Sequence, residues 1–436
     1  MSTINSKNVQ VGTSNVAAEN FTLYQPAIPD GTVRLGVGNS NATTADVVTV
    51  NSAGMTVTGT LTATTLSGSL GAATATSLTV NGNNISAVNS LGFRNRIING
   101  DMRIDQRNAG ASVTVTGNPY TLDRWYSAAS VDGKYTVQQN AGSVTPPAGY
   151  TNYLGCTVGA SANVTVGAGD YFGIRQAIEG YNVSDFGFGA ATASTVTLSF
   201  WVRSSVTGTY GATLKNSASN RSYPFTYAIN SANTWEQKSV TVAGDTTGTW
   251  LTTNGVGLYI TFGLGVGATY SGTAGAWAAS NLWSATGATN WIQTNSATFY
   301  ITGVQLEAGT VASPFERRDY GRELMMCQRY FWKWKGTPSR KWIVSGMILS
   351  TTNSYCVFHT KQTMRAEPTM GTSGTAGDYC LYQGNSLHTC TSVPSISASD
   401  VDTPTFDFRS TGMTDGRASL NGSNNDNGFI TLSAEL

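Results

Sequence analysis

Three carboxylates, Asp170, Glu179 and Asp185, lie close together in the sequence. A glycosidase uses two carboxyl groups on either side of the bond that it cleaves. Arg175 precedes Glu179 by four residues, and on a strand these two side chains share a face. An ion pair therefore explains Glu179 at least as well as catalysis does. We expect no catalytic residues and a protein that is not an enzyme.

Residues for nucleophilic, metal or phosphate chemistry are sparse in this chain. His359 and His388 are the two histidines, and neither stands near a Gly-x-Ser-x-Gly motif. Patterns such as Gly36–Gly38 lack the strand–helix context of a phosphate loop. The five cysteines contain no Cys-x-x-Cys pair, so we expect no metal site and no cofactor. Synthesis in a reducing cytoplasm predicts free thiols, and a Cys380–Cys390 bridge stays open.

Residues between positions 270 and 291 combine flat aromatic rings with amides. The apolar C–H faces of sugars stack on such rings, and amides bond sugar hydroxyls. The candidate carbohydrate contacts of this kind are Tyr270, Trp277, Asn281 and Trp283. The alternative is that the rings fill the ends of a β-sandwich, as we expect of Trp291 because it leads directly into a strand.

The segment 316–341 carries eight positive and three negative side chains. Such a segment contacts phosphates or acidic sugars in some proteins, and Arg340 and Lys341 are our candidates for contact with an anionic glycan. The alternative, which we favour, is a solvated face or an ion-pair network between domains.

The overall composition indicates an all-β protein. Charged residues make up 11% of the 436 residues, against roughly 25% in ordinary globular chains, and 49 glycines accompany many Thr, Ser and Asn residues. The formal net charge of +1 gives no electrostatic case for nucleic acid. We find no apolar stretch of membrane-spanning length and no secretory signal, and expect neither membrane insertion nor export by that route.

The first 93 residues differ from the rest in having few large apolar side chains. Val48–Asn51 is echoed by Leu78–Asn81, and a small-residue turn and an apolar residue follow each copy. This pattern predicts strand, turn and strand at a fixed spacing. Such a strip buries too little apolar surface to offset its conformational entropy alone. We predict a trimeric β shaft over residues 31–93, with a flexible linker as the alternative.

The rest of the chain predicts two further β-domains. Val196, Leu198, Phe200 and Val202 alternate with polar residues, which predicts a strand with one face in a core. The apolar phase reverses around Gly303, which predicts a bulge there. We expect a jelly-roll β-sandwich over residues 110–313, and a short helix followed by a strand over 319–334. Residues 335–436 again show the pattern of short strands and turns, which predicts a small C-terminal β-domain.

Several segments resemble the head entry and core strands of phage tail-fibre-like proteins in their order and spacing. The segments are Asn95–Met102, Tyr120–Tyr126, Thr298–Gly309, Pro314–Arg318 and Glu323–Tyr330, with Thr195–Ser204 and Trp235–Val242 similar to strands of carbohydrate-binding jelly rolls. The resemblance implies a homotrimeric virion fibre whose heads recognise host polysaccharide or lipopolysaccharide. It transfers no binding site, because the matched residues Asp123, Arg124, Trp125, Gln305 and Glu307 have the character of scaffold.

This resemblance completes the predicted organisation. Residues 1–30 are the expected attachment segment for a phage tail or baseplate protein, residues 94–109 a neck, and residues 314–334 a connector. The expected function is a tail fibre that mediates adsorption to a host glycan, located in the virion and made in the host cytoplasm. The alternatives are a structural adaptor or decoration protein without a glycan site, and a polysaccharide depolymerase.

Overall fold

The strands of the protein fall into two compact units, residues 1–75 and 76–436. A computed structural model describes residues 8–11, 21–24, 32–39, 42–51, 54–57, 78–80, 83–85, 93–336 and 340–436. Each unit is considered by itself. The predicted attachment segment 1–30 and shaft 31–93 lie partly outside the described residues.

The first unit contains a five-stranded antiparallel sheet with the order β1-β2-β3-β4-β5. Its strands are β1 Asn8–Val11, β2 Phe21–Tyr24, β3 Val33–Asn39, β4 Ala42–Asn51 and β5 Gly54–Val57. Leu23 lies opposite Leu35, and Leu35 lies opposite Val48. Opposed residues share a face of a sheet, so one face of this sheet is apolar.

The internal repeat forms two hairpins, as predicted. Val50 pairs with Met55 across the turn between β4 and β5. In the second copy, β6 Leu78–Val80 pairs with β7 Asn83–Ile85 in a two-stranded sheet. Whether these strands assemble as a trimer stays a prediction.

Two six-stranded antiparallel sheets form a jelly-roll sandwich in the second unit, which confirms the all-β prediction. The strands from this part of the chain are β8 Val113–Thr114, β9 Tyr120–Leu122, β10 Trp125–Ala129, β11 Tyr135–Gln139, β12 Leu154–Val158, β13 Tyr171–Glu179, β14 Val196–Ser204, β15 Gly208–Lys215, β16 Ser222–Ile229, β17 Glu236–Val242, β18 Val256–Val266, β19 Ser271–Gly272, β20 Ser284–Ala285 and β21 Thr298–Ala308. The front sheet has the order β16-β15-β18-β13-β10-β9, and the back sheet has the order β17-β14-β21-β12-β11-β8.

The core of the sandwich lies between the front and back sheets. Leu198 and Phe200 of β14 contribute from the back sheet, and Ile260 and Phe262 of β18 contribute from the front sheet. All four side chains are fully buried. The alternation read from the sequence therefore identified the inward face of both strands.

Gly303 creates the predicted bulge in β21. Its φ of 61° is left-handed, and the register between β14 and β21 shifts between Ser199 and Trp201. A Cβ at position 303 would meet the hydroxyl and the ring of Tyr150 at 2.6–2.8 Å. Glycine is required here for both reasons, and the bulge explains why the apolar phase of this strand reverses.

A short helix and a buried ionic network connect the sandwich to the C-terminal strands. Helix α1 Tyr320–Gln328 begins at Asp319, whose carboxylate accepts a hydrogen bond from the Arg322 backbone at 2.9 Å, and β22 Phe331–Lys335 follows it. The predicted helix and strand are both confirmed. Among the residues that the structure describes, the other helical segments are 3-10 turns at Ala141–Ser143, Gly180–Asn182, Ser184–Phe186, Ala268–Tyr270, Trp291–Gln293 and Ala376–Asp378.

The residues predicted as scaffold make internal bonds in this region. Arg124 is buried and pairs with Glu435, and its guanidinium lies 3.6 Å from the centre of the Tyr330 ring. The Trp125 indole donates to the carbonyl of Asn99 at 3.0 Å. The Arg124 contacts hold Tyr330 and Glu435 against the sandwich. Arg124 and Trp125 therefore have structural roles that require no ligand.

The C-terminal strands form a three-stranded sheet, β22-β31-β25, and a seven-stranded sheet, β27-β26-β30-β23-β24-β29-β28. Their bounds are β23 Trp342–Ile348, β24 Asn353–Val357, β25 Thr369–Thr372, β26 Tyr379–Gln383, β27 Ser386–Thr389, β28 Ser395–Ala398, β29 Thr405–Arg409, β30 Ala418–Ser423 and β31 Phe429–Ser433. Phe406, Phe408 and Ile430 belong to their shared core.

The described residues contain neither a disulfide nor a metal-ligating cluster. All five cysteines are free and buried, so the Cys380–Cys390 bridge is not formed. The described side chains hold no group of three or more His, Cys, Asp or Glu residues arranged to bind a metal. In the same part of the chain, no helix has the length and apolar character to cross a membrane.

Candidate functional site

The outward face of the front sheet presents aromatic and cationic side chains in two neighbouring rows. In the first row Tyr126 lies opposite Arg175, and Arg175 lies opposite Thr261. In the second row Tyr259 lies between Ala177 and Lys215. Because opposed residues of antiparallel strands share a face, these side chains all point away from the core.

A row of glycines lets a surface segment cross this sheet closely. Gly211 and Gly263 lie beneath Ser284, and a Cβ on either glycine would crowd the Ser284 side chain. The segment that carries Ser284 also carries Trp283, which is 8% exposed. The close approach therefore places the Trp283 ring over the two cations of the front sheet.

The guanidinium of Arg175 is surrounded by aromatic rings. Its central carbon lies 4.1 Å from the centre of the Trp283 ring, 4.4 Å from that of Tyr259 and 5.9 Å from that of Tyr126. Its Nε donates to the hydroxyl of Thr261 at 3.2 Å. Burial lowers the pKa of Arg175, and cation–π contacts partly offset the lost hydration.

A cleft of about 110 Å³ opens beside this guanidinium. We call it the Arg175 cleft, and its lining residues are Tyr120, Tyr126, Arg175, Ala177, Tyr259 and Leu436. The hydroxyl of Tyr120 donates to the backbone oxygen of Leu436 at 2.7 Å, which holds one rim in place. Three of the lining side chains are flat tyrosine rings, and Arg175 is the cationic one.

Lys215 adds a second positive group behind the cleft. Its side chain is 1% exposed, and its Nζ lies 4.9 Å from the centre of the Trp283 ring. The ammonium donates to the amide oxygen of Asn281 at 2.7 Å. Burial, and then the neighbouring charge of Arg175, lower the pKa of Lys215 to about 7.

No carboxylate among the described residues neutralises these two cations. Neither Arg175 nor Lys215 forms an ion pair, and Arg175 Nη2 is buried without a protein hydrogen-bond partner. The Oγ1 of Thr213, opposite Thr261 on the same face, also lacks one. A buried cation without a counter-charge is costly, and a ligand that brings a negative charge lowers this cost.

Three of the four predicted carbohydrate contacts lie at or next to this site. Trp283 covers Arg175 and Lys215, and Asn281 is the acceptor of the lysine. Tyr270 contacts the ring of Tyr171 at a centre-to-centre distance of 5.6 Å, and Tyr171 in turn stacks on Trp283 at 4.5 Å. Asn281 is exposed, whereas Trp283 is buried and supports the cations.

Trp277 lies in a different group of rings. Phe188, Tyr223, Trp250 and Trp277, which we call the Trp277 cluster, have ring-centre distances of 5.0–5.7 Å for the described contacts. The Trp277 indole donates to the carbonyl of Ala243 at 2.8 Å. The indole nitrogen of Trp277 is therefore bonded within the protein. This agrees with the alternative interpretation, in which Trp277 is a structural ring of the sandwich.

The predicted anionic-glycan residues Arg340 and Lys341 lie on the C-terminal domain. Both are exposed, and in the described part of the chain neither side chain forms an ion pair. They are remote in sequence from the strands of the Arg175 cleft and do not line it. Elsewhere in the basic segment, Arg318 pairs with Glu323 and Arg329 pairs with Glu179 at 2.6 Å, which confirms the ion-pair network there.

The three neighbouring carboxylates have structural partners. Asp170 accepts a hydrogen bond from Ser130 at 2.8 Å, and Asp185 pairs with Arg96 at 2.6 Å. The proposed pairing of Arg175 with Glu179 is wrong. Glu179 pairs instead with Arg329 at the end of β13, where the register with β18 shifts. The histidines lie in the C-terminal domain as expected, His388 on β27 and His359 in a loop.

The cations and tyrosines of the front sheet were not predicted from the sequence. The signal was present in β18, where Leu258 and Ile260 point inward and Tyr259 must point outward. A tyrosine at an outward position of a predicted core strand marks a surface that holds an aromatic ring. Arg175 occupies another outward position, on β13 opposite Thr261.

Comparison with known proteins identifies no family. No family model matches the chain, and no curated protein is similar to it. Among solved structures, it is similar to the enzymatically active domain of tailspike protein 4 of Bacteriophage CBA120, with 12% identity, a TM-score of 0.27 and coverage of 49% of this chain and 21% of that one. The chain thus spans about a fifth of that tailspike structure.

Two carbohydrate-binding modules are also similar to this chain. One is TmCBM61, solved with beta-1,4-galactotriose, at 10% identity and a TM-score of 0.25, covering 50% of this chain and 99% of the module. The other is the family 11 module from Clostridium thermocellum, solved with a beta-1,3-1,4-mixed-linked tetrasaccharide, at 11% identity and a TM-score of 0.23, covering 46% and 98%. At these low values the similarities assign neither a family nor a function.

Proposed function

We propose that this protein is a homotrimeric, phage tail-fibre-like virion protein whose jelly-roll head binds a host surface glycan. The observation that carries the proposal is the Arg175 cleft, which combines tyrosine rings with a guanidinium that forms no ion pair among the described residues, on the outward face of the front sheet. The sequence segments that resemble tail-fibre heads support the virion setting.

The chemistry of the cleft suits a sugar better than it suits an apolar ligand. The half-buried rings of Tyr126 and Tyr259 offer flat surfaces for the C–H face of a pyranose. The nitrogen atoms of Arg175 are donors for its oxygen atoms. At about 110 Å³, the cleft is smaller than the roughly 300–1,000 Å³ of drug-sized pockets. It therefore fits one edge of a sugar, and the rest of the glycan lies along the sheet.

Exposed apolar residues in the first unit support assembly into a trimer. On the sheet of β1–β5, Phe21 is 42% exposed, Leu23 is 46% exposed and Val50 is 44% exposed. These side chains share one face of the sheet. Three copies that pool such faces would gain a common core, which one copy does not supply.

The C-terminal domain exposes a second apolar strip that supports the same assembly. Met347 and Leu349 near β23 and Val357 on β24 are each about half exposed, at 51%, 46% and 54%. Contact between copies along this strip would remove it from water. Three heads in one particle would also convert a weak affinity per site into strong attachment to a cell surface.

Glycan binding by the full-length protein tests the proposal. We expect Tyr126→Ala and Tyr259→Ala to weaken binding on an array of bacterial surface glycans by roughly tenfold each, because each removes a stacking surface. Tyr181→Ala is the matched control, since Tyr181 is 60% exposed and outside the cleft. We expect this control to bind as the wild type does.

Two outcomes would favour the other functions. Wild-type protein that binds no glycan, together with virions that still adsorb without residues 110–436, would support an adaptor or decoration protein. Release of reducing ends from host polysaccharide would support a depolymerase.

The mass of the particle in solution tests the trimer. We expect light scattering to give three times the 45.8 kDa mass of the chain, because the apolar faces above are covered only between copies. A monomer that keeps the β1–β5 sheet folded would contradict the shaft.

A further inference from the structure

Arg175 differs from the other arginines that have a buried, unpartnered nitrogen. Among the described residues, these others are Arg94, Arg96, Arg103, Arg107, Arg124 and Arg318. Each of them forms an ion pair with an aspartate or a glutamate. Arg175 alone in this group meets only rings and one hydroxyl. The fold therefore buries a positive charge here, and no described carboxylate forms an ion pair with it.

Two strands of the front sheet each contribute a cationic side chain at or behind the cleft. Arg175 comes from β13, and Lys215 comes from β15. The other titratable side chains that interact with Arg175 are tyrosines, namely Tyr120, Tyr126, Tyr171 and Tyr259. Glu435 pairs with Arg107 and Arg124 instead.

We infer that the Arg175 cleft selects an acidic sugar, whose carboxylate is bound by the Arg175 guanidinium. This inference rests on the proposed glycan-binding function and names the ligand class of the same site. The carboxylate accepts from the part of the guanidinium that stays accessible in the cleft, and a guanidinium holds a planar carboxylate in a geometry that an ammonium does not. Tyr126 and Tyr259 contact the sugar ring that carries this group.

The size and depth of the site agree with a carboxylate. The cleft admits a ring edge with a small planar substituent, and Arg175 is half-buried at its floor whereas Lys215 is fully covered. Arg175 therefore makes the direct contact with the ligand, and Lys215 adds a positive field from behind the cleft when it is protonated. The low local dielectric strengthens both interactions.

Matched pairs of glycans test the inference. We would use acidic bacterial capsular oligosaccharides and the same oligosaccharides after their carboxyl groups are reduced to alcohols. We expect the full-length protein to bind the acidic member of a pair more tightly by roughly 10- to 100-fold, the value of a charge-assisted hydrogen bond. Arg175→Gln should remove this preference, and Arg175→Lys should keep part of it.

Arg203→Gln is the matched control on the back sheet. Arg203 is half-buried, lies 5.3 Å from the centre of the Tyr300 ring and has no carboxylate partner. We expect this variant to keep the preference for acidic glycans. Thermal unfolding of each variant reports whether the sandwich is intact, and Arg175→Lys retains the charge if Arg175→Gln fails to fold.

The results distinguish failure of the selection of an acidic sugar from failure of glycan binding itself. Equal binding of both members of each bound pair, or an unchanged preference in Arg175→Gln, overturns the selection of an acidic sugar while glycan binding stands. Failure of the wild type to bind either member of any pair overturns both.

Discussion

The Trp277 cluster and the Arg175 cleft are both built from flat rings at the surface of the same sandwich, yet their polar atoms are used differently. In the Trp277 cluster, the indole N–H of Trp277 is bound by the Ala243 carbonyl, and the neighbouring rings contact one another edge to face. In the Arg175 cleft, the rings surround a cation whose Nη2 has no hydrogen-bond partner among the described residues. Rings that pack on one another and whose polar atoms are hydrogen-bonded stabilise a fold. Rings that surround a charge without a counter-charge leave a site for a ligand.

This difference separates two tryptophans that are neighbours in the sequence. Trp277 and Trp283 are six residues apart, but the described ring contacts of Trp277 are with Phe188, Tyr223 and Trp250. Trp283 contacts Tyr171 and covers Arg175. Spacing along a surface segment therefore does not decide which residues form one site, because the strands beneath the segment supply its partners.

The largest effect that we expect on stability is at the Trp277 cluster. Trp277→Ala removes a ring that packs against three others and donates a hydrogen bond. It should lower the free energy of unfolding by about 3 kcal/mol, measured by urea unfolding. Glycan binding at a temperature where the variant is folded should stay at the wild-type level.

Trp342→Ala is the control for this prediction. Trp342 is 36% exposed and belongs to the C-terminal sheet, where its described ring contact is with Tyr382. We expect a smaller loss of stability there. A Trp277→Ala variant of normal stability that no longer binds glycan would place the site in the Trp277 cluster and reverse the comparison.

Much of the fold could be predicted from the sequence because the patterns that indicate its strands are local. Period-two alternation in Thr195–Ser204 and the phase change at Gly303 each depend on a few adjacent residues, and both are confirmed. The N-terminal hairpins followed from a repeat of the same kind.

The site was only partly accessible, because it depends on register between distant strands. Arg175 and Thr261 are 86 residues apart and meet through the pairing of β13 with β18. Nothing near Arg175 in the sequence shows that its nearest glutamate, Glu179, is taken by Arg329. The candidates Tyr270, Asn281 and Trp283 were found because they lie on one segment, and the cations beneath them were missed for the same reason.

A smaller effect on stability distinguishes the cleft from an ordinary packed cluster. Lys215 has an unfolded pKa of about 10.4 and a folded pKa lowered to about 7. Between these values the unfolded chain binds more protons, so stability rises with pH. We expect wild-type stability to gain about 2 kcal/mol relative to Lys215→Met from about pH 7 to pH 9, with a constant difference below about pH 6. Urea unfolding of both proteins across this range measures it.

Asn281→Asp provides the matched variant for the same measurement. The Asn281 amide oxygen lies 2.7 Å from the Lys215 ammonium, so a carboxylate there raises the pKa of the lysine towards its unfolded value and should flatten the rise of stability with pH. It should also weaken the preference for acidic glycans, because the cleft then contains its own counter-charge. If the wild type, Lys215→Met and Asn281→Asp show the same pH dependence, Lys215 is not a desolvated cation. The positive character of the cleft would then depend on Arg175 alone.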